Sequence, residues 1–454
     1  MLSGAKLAVV ETAEDENFLT RGPRAFAGRN VLLLQGPFGP FFRRFAVDLM
    51  NAGAQVLKVN FNAGDALFYP FGAVNYRGTT EGWPAFLEQL ISVRGIDAII
   101  MFGDCREMHQ MALSTARRLN IEAFVFEEGY VRPDYVTLER HGVNGFTSLP
   151  RDPNFYRGLG DTALDTPSPV GSAVQIAVVW GFFYYLVANF GRIFFRHYRH
   201  HRGFTLFEAI PWWISFARKY WYLWRERGML DRLTSANAPP FYLVPLQVFN
   251  DTQLHIHSNE RSVEIFIQKV ATSFSENAPK DSVLVLKHHP MDRGYITYAR
   301  FIRKLSAELA LGDRIIYIHD QHLPTLLGKA SGLITINSTV GMSALLHEVP
   351  VVTLGRAFYD IAGLTHQGAL DTFWTEGSKI KIEMPLFRAF RSYVINSTQL
   401  NGNFYKRTPG SPTRSGLIWP LPGNRPQQRK NVVSLTFLES RNEPQLAIGS
   451  ADSC

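Results

Sequence analysis

Along residues 29–65, RNVLLLQGPFGPFFRRFAVDLMNAGAQVLKVNFNAGD, the apolar positions change period twice. Residues 31–34 are a continuous apolar run, the pattern of a strand covered on both faces. The loop QGPFGP follows. Helical spacing over 41–50 then predicts a helix, with Gly53 just past its end as a stop signal. QVLKVNF reads as the next strand. GIDAIIMFGD and IEAFVFEEGY repeat the strand pattern on either side of a helical REMHQMALSTARRLN. Alternating strands and helices imply parallel crossovers and a doubly wound sheet.

A second series begins near Pro240. PFYLVPLQV, DSVLVLKHHP, DRIIYIHD, SGLITIN and PVVTLGRAFYD read as strands. The helical stretches between them are NERSVEIFIQKVATSFSENAP, YARFIRKLSAELALG, HLPTLLGKA and STVGMSALLHEV. The predicted fold class is therefore α/β, with two Rossmann-like doubly wound domains facing a cleft. Residues 1–166 form the first domain and 240–400 the second. Residues 401–454, rich in Pro, Gly and Arg without periodicity, read as a largely disordered tail.

Residues 167–239 fit neither series. No charge falls between Asp165 and Arg192, and RIFFRHYRHHR and PWWISFARKYWYLWRERG then mix aromatics with cations. Three readings stay open for 169–191: a helix buried in the first domain, an interfacial helix, or a membrane span. Cations beside Trp and Tyr suit the boundary between headgroups and acyl chains.

At 454 residues the chain is long enough for two cores, and 46% apolar residues can fill them. The net charge of +8 points to anionic partners, whether nucleic acid, anionic lipid or phosphorylated substrate. With no Lys/Arg block and no RNA-binding signature, nucleic acid is not expected. Two cysteines, Cys105 and Cys454, supply neither a disulfide framework nor a metal-spaced pair, so a reducing cytoplasm is the expected compartment. The opening MLSGAKLAVVETAEDENF lacks the apolar run of a secretory signal.

Ligands of open parallel sheets bind outside the carboxyl ends of the strands. In the first domain those ends carry Gln35, Gly36, Asp104, Glu127 and Glu128, with Arg132 just beyond. Glu127 and Glu128 are adjacent on one strand and point to opposite faces, so only one enters the cleft. In the second domain, VLVLKHHP ends a strand on Lys287, His288, His289 and Pro290. A phosphate at that edge would meet a cation and an imidazole, although either histidine could equally be a hydrogen-bonded core residue. The loop Asn337-Ser338-Thr339 opens a helix carrying Gly341, which can serve an anion or simply cap the helix. Gln247 and Asp251 follow another strand. Asp251 is a candidate nucleophile or base, or else an ordinary turn residue. Carboxylates from two domains meeting across a cleft suit chemistry at a glycosidic centre. No DxD motif is present, HYRHH and HIHS lack matching carboxylates, and no metal or other cofactor is expected.

The stretches LLLQGPFGPFFRRFA, KVNFNAGD, FGDCREMH, FEEGYVRPDYVTLE, GVNGFTSLPRDP, LQVFNDTQ, KHHP and NSTVGMSAL together resemble the capsular polysaccharide biosynthesis/export family of the KpsS/LipB type, over roughly residues 28–405. The resemblance implies a GT-B-like retaining β-Kdo glycosyltransferase. It would use CMP-Kdo to start an oligo-Kdo linker on a phosphatidylglycerol-type lipid. Such an enzyme sits peripherally on the inner face of the cytoplasmic membrane, beside capsule assembly and export machinery. By resemblance, His289 and Pro290 match the His-Pro motif that holds the CMP phosphate, and Gln247 and Asp251 match the Gln-containing loop with Asp251 as nucleophile. Glu128 is the preferred acid/base with Glu127 as its alternative, and Ser338 and Thr339 match the nucleotide-binding hydroxyl pair. Two other readings remain: another CMP- or UDP-sugar transferase or epimerase on the same fold, and a non-catalytic scaffold for capsule assembly.

Overall fold

The computed structural model describes residues 18–159, 166–199, 209–249 and 262–421. After a short N-terminal helix, α1 (Phe18–Arg21), the first lobe runs β1 (Asn30–Leu33), α2 (Phe41–Asn51), β2 (Gln55–Asn60), α3 (Ala63–Phe68) and β3 (Ala73–Asn75). It continues with α4 (Trp83–Arg94), β4 (Ala98–Phe102), α5 (Glu107–Arg118), β5 (Glu122–Glu128) and β6 (Tyr135–Arg140). The apolar strand cores are buried on both faces: Val31 and Leu33 pack with the Phe41, Phe42 and Phe45 stripe of α2, and Leu32 and Leu34 pack with Trp83, Leu87 and Ala112 on the other side. Gly53 takes a φ of +96° immediately after α2, a backbone region open mainly to glycine.

The second lobe is a five-stranded sheet, ordered β11-β10-β7-β8-β9, with every adjacent pair parallel. Its strands are β7 (Phe241–Pro245), β8 (Val283–Lys287), β9 (Ile315–Ile318), β10 (Gly332–Thr335) and β11 (Val351–Thr353). The helices between and after them are α10 (Val263–Asn277), α11 (Ala299–Glu308), α12 (Leu323–Leu327), α13 (Val340–Leu346), α14 (Leu370–Phe373) and α15 (Met384–Thr398). Two Rossmann-like parallel units on one chain is the architecture expected from the pattern.

Three features depart from that pattern. The first sheet has seven strands, β12-β6-β5-β4-β1-β2-β3, and its β6 and β12 edge is antiparallel. Strand β12 (Gln399–Asn401) comes from the far end of the chain, so the second lobe hands its last helix back to the first. The tail expected to be disordered from 401 is instead folded as far as 421. Phe404 and Leu417 lie in the α2 core, and the Asp48 carboxylate accepts from the backbone N–H of Arg414 and Ser415 at 2.6 and 2.8 Å. Residues 422–454 lie outside the described residues. The boundary at 166 also shifts. The helix α6 (Pro153–Arg157) buries Tyr156 against Phe390 of α15, because the aromatic face of 155–156 has its apolar partner on the second lobe.

The intervening segment forms α7 (Val174–Phe190), a 3₁₀ turn (Gly191–Phe194), α8 (Ala209–Arg225) and α9 (Met229–Thr234). Helix α7 is not buried in the first domain. It seats Gly181, Tyr184 and Tyr185 inward and packs on α3. Val174, Phe190 and Phe194 are 68%, 68% and 59% exposed.

Candidate functional site

Because β7 lies between β10 and β8, the loops after these three strands emerge side by side. Side chains then bind the loops to each other. The Gln247 Nε2 donates to Asn337 Oδ1 at 2.7 Å, joining the β7 and β10 loops. The Asp292 carboxylate accepts from Phe249 N–H at 2.9 Å, joining the β7 and β8 loops. The Gln247–Asn337 pair is incomplete: Gln247 Oε1 and Asn337 Nδ2 are buried and have no partner among the described residues. A buried acceptor and donor at a strand edge are costly unless a ligand, a water or another group meets them.

The two histidines divide the alternatives raised by the sequence. His288 is core: its Nδ1 is 2.6 Å from the Tyr317 hydroxyl, and burial, then the neighbouring His319, push its pKa down to about 3, so the ring is neutral. His289 is half-buried and caps the following 3₁₀ turn, its Nδ1 accepting from Met291 N–H at 3.2 Å. That acceptor role puts the proton of the neutral ring on Nε2, which makes Nε2–H a donor. Pro290 is exposed beside it. Lys287 ends β8 buried, its ammonium donating to His319 O at 3.0 Å; burial lowers its pKa, with Asp320 and Glu226 opposing.

The 337–341 loop is built more tightly than an open anion cradle. The Ser338 hydroxyl accepts from Val340 N–H at 3.3 Å, so one helix-start donor is already capped, and Ser338 N–H is bound to Thr335 Oγ1. Thr339 occupies the N-cap position of α13 without a capping side-chain bond. A Cβ on Gly341 would stand 2.1 Å from the Tyr359 hydroxyl, which itself donates to Ser338 O at 2.6 Å. Gly341 therefore admits the tyrosine that pins this loop. Asp251 lies outside the described residues.

On the first lobe, Glu127 and Glu128 end β5 half-buried, and the alternation of β5 sends them to opposite faces. The Glu127 carboxylate accepts from Glu128 N–H at 2.9 Å. Its other oxygen lies 3.8 Å from where a Cβ of Gly103 would stand, and Arg106 Nε lies 3.9 Å from the same point. Gln35 is buried: its amide donates to Asp65 and to the Tyr184 and Tyr198 hydroxyls, and its oxygen accepts from Arg106 at 2.9 Å. Gly36 sits against the Phe42 ring, which a Cβ would meet at 2.9 Å. Asp104 is buried and holds Val143 N–H at 2.9 Å, so it braces a loop and does not line the open surface. Arg132 is exposed in the β5–β6 turn and donates to Gly129 O.

Sequence reasoning missed the clamp that ties α8 to the loops after β8 and β9. Glu226 accepts from both the ring and the backbone N–H of His319, at 2.5 and 3.0 Å, and the His319 ring stacks on Tyr222 at 3.5 Å. Arg218 donates to Arg293 O at 2.8 Å, and Arg293 pairs with Asp320 at 2.5 Å. The polar face of α8 is thus spent on the loops after β8 and β9. Its aromatic face is turned outward, with Trp213 at 74% and Trp224 at 65% exposure. The signal available in the sequence was the period of the polar residues within WWISFARKYWYLWRERG. Among the described residues no group of three or more His, Cys, Asp or Glu is arranged to hold a metal.

A family model described as "Capsule polysaccharide biosynthesis protein" matches residues 97–405. The chain is 42% identical over 381 residues to the capsule polysaccharide export protein KpsS of Escherichia coli, covering 84% of this chain and 97% of that protein. It is 40% identical over 390 residues to the capsule polysaccharide modification protein LipB of Neisseria meningitidis serogroup A, covering 84% and 93%. Among solved structures it is similar to KpsC of Thermosulfurimonas dismutans, a beta Kdo 2,7 transferase. That match has 15% identity and a TM-score of 0.39, over 85% of this chain and 95% of the other.

Proposed function

Because the chain belongs to the capsule polysaccharide biosynthesis family, we propose that it is a retaining β-Kdo glycosyltransferase that moves Kdo from CMP-Kdo to a phosphatidylglycerol-type lipid. The observation that carries this reading is the Gln247–Asn337 pair, whose acceptor and donor have no partner among the described residues and which joins the β7 and β10 loops, next in the sheet to the β8 loop that carries His289. A nucleotide offers both kinds of group to such a pair, and the Nε2–H of His289 suits a leaving phosphate.

In the proposed reaction the Asp251 carboxylate attacks the anomeric carbon, the bond to the CMP phosphate oxygen breaks, and CMP departs with the electron pair. The acceptor hydroxyl then displaces Asp251 while Glu128 or Glu127 takes its proton. No metal enters this scheme. The protein would work peripherally on the inner face of the cytoplasmic membrane, next to capsule assembly machinery. Supporting this are the outward aromatic face of α8 and the apolar face of α7. Residues 174–194 are long and apolar enough to cross a membrane. However, Tyr184 is hydrogen-bonded to Asn62 and Asp65 of the first lobe, which favours a helix lying on the bilayer over one crossing it.

Incubation of the purified protein with CMP-Kdo and short-chain phosphatidylglycerol should add Kdo mass to the lipid. Asp251→Ala should abolish that gain while CMP binding, read by calorimetry, persists. Undiminished turnover in Asp251→Ala would remove the nucleophile. Absence of CMP binding in the unaltered protein would favour a non-catalytic role, as the name "export protein" of its relative allows.

A further inference from the structure

A small open pocket, with a volume of about 50 Å³, lies over the carboxyl ends of β1, β2 and β4, on the first lobe. Phe61, Met108 and Tyr76 form its apolar walls, and Arg106, Tyr198 and Arg199 supply its polar side. We propose that this pocket binds the phosphate-bearing headgroup of an anionic lipid, with the acyl chains left on the apolar surface of the neighbouring 3₁₀ turn. The proposal rests on the lipid-acceptor reading above and names the site that reading requires.

Three observations carry it. First, Arg106 is prearranged. Its Nη1 donates to Gln35 Oε1 at 2.9 Å and to Gly36 O at 3.4 Å, and its guanidinium lies over the Phe102 ring at 5.2 Å. A guanidinium has five N–H donors, so this anchoring leaves others for a phosphate. Gln35 is in turn held by Asp65, Tyr184 and Tyr198, so the arginine's seat is rigid.

Second, the pocket wall and the apolar surface belong to one short segment. Tyr198 and Arg199 follow Phe190, Ile193 and Phe194 within nine residues, and those three side chains are 68%, 64% and 59% exposed. A lipid lying against that turn would bring its headgroup to the pocket mouth without leaving the interface. His197 lines the same rim and Glu107 opposes the cations there; Glu81 stands near Arg199 and His197. Two permanent cations, Arg106 and Arg199, thus face Glu107 in the lining and Glu81 beside it, and so little excess positive charge suits a singly charged phosphodiester better than a free dianion.

Third, Arg106 and Glu127 flank Gly103, at 3.9 and 3.8 Å from its Cβ position. Glu127, one of the two carboxylates proposed to take the acceptor's proton, thus stands beside the short loop that carries the guanidinium that would hold the headgroup.

The test uses the full-length protein, Arg106→Gln and the double variant Arg106→Gln/Arg199→Gln. Binding of short-chain phosphatidylglycerol, phosphatidylcholine and soluble glycerol 3-phosphate is measured by calorimetry, with thermal melting as the control for folding and CMP binding as the control for the donor site. Phosphatidylglycerol affinity should fall roughly 10- to 100-fold in the variants, as expected for loss of charge-assisted hydrogen bonds, while CMP affinity stays unchanged. Phosphatidylcholine should bind the unaltered protein weakly. Tight, variant-sensitive binding of glycerol 3-phosphate would identify a soluble phosphate as the ligand and overturn the lipid assignment. Equal phosphatidylglycerol affinity in all three proteins would overturn the pocket itself. These binding measurements hold whether or not Kdo is transferred, so failure of the site is distinguishable from failure of the transferase reading.

Discussion

Glu139 offers a direct test of the lobe's electrostatics. It lies on β6, 3% exposed, where it accepts the Tyr130 hydroxyl at 2.5 Å and the hydroxyl of Thr147. Burial pushes its carboxyl up from 4.5 to about 7, and the bonds from Thr147 and Tyr130 offset only part of that push. The folded value exceeds the unfolded one, so between those two pH values the native state holds a proton that the unfolded state has lost. Stability must therefore fall as pH rises through this window, the reverse of a salt-bridged carboxylate. The gap from 4.5 to about 7, at about 1.36 kcal/mol per pH unit, amounts to roughly 3 kcal/mol. Glu139→Gln keeps the shape, and its oxygen still accepts from Tyr130, but it cannot ionise. By thermal denaturation the two proteins should melt within a degree or two of each other at pH 5. At pH 8 the variant should melt higher, by about 6–12 °C for a first lobe of this size. The Tyr130 ring stacks on Phe358 of the second lobe at 4.0 Å, so the ionised carboxylate also loads the lobe junction. Parallel melting profiles from pH 5 to 8 would refute the burial argument, as would a variant that melts lower at pH 8.

Two further perturbations probe the second lobe. Gly341→Ala forces a methyl to within 2.1 Å of the Tyr359 hydroxyl and should cost about 1–3 kcal/mol in urea unfolding; a change below about 0.5 kcal/mol would mean that the loop repacks freely. Glu226→Gln should destabilise by about 1.5–3 kcal/mol at neutral pH. Burial raises the Glu226 pKa, but the His319 ring and backbone outweigh that and hold it below its ordinary 4.5. The deficit should therefore persist down to pH 4.5 and close as pH falls through the lower folded value, which melts at pH 7 and pH 3.5 would show.

Much of the molecule is encoded over short distances. Each strand of the second sheet was legible because a run such as VLVLK is apolar on both faces, and only a strand covered on both sides has that composition. The strand ends were legible for the same reason, since polar residues begin where coverage stops. Thus Gln35, Glu127, Gln247, Lys287 and His289 could all be named at the mouths of the two sheets. By the same rule Arg106, two residues beyond Asp104, was within reach of the sequence and was passed over.

The period of a strand does not say which polar residue at its end stays open. His288 and His289 are adjacent, and only the packing of Tyr317 and His319 around one of them makes it core. Asp104 and Lys287 looked equally available until their backbone partners, Val143 and His319, closed over them. Strand β12 and the folded stretch to 421 rest on contacts hundreds of residues apart, such as Asp48 to Arg414, and the seat of α8 on contacts 75 to 93 residues apart. Amphipathic period and capping are properties of neighbouring residues and can be read from the chain. The burial that turns one histidine into core and its neighbour into a donor depends on distant surfaces, and only the assembled lobes bring those together.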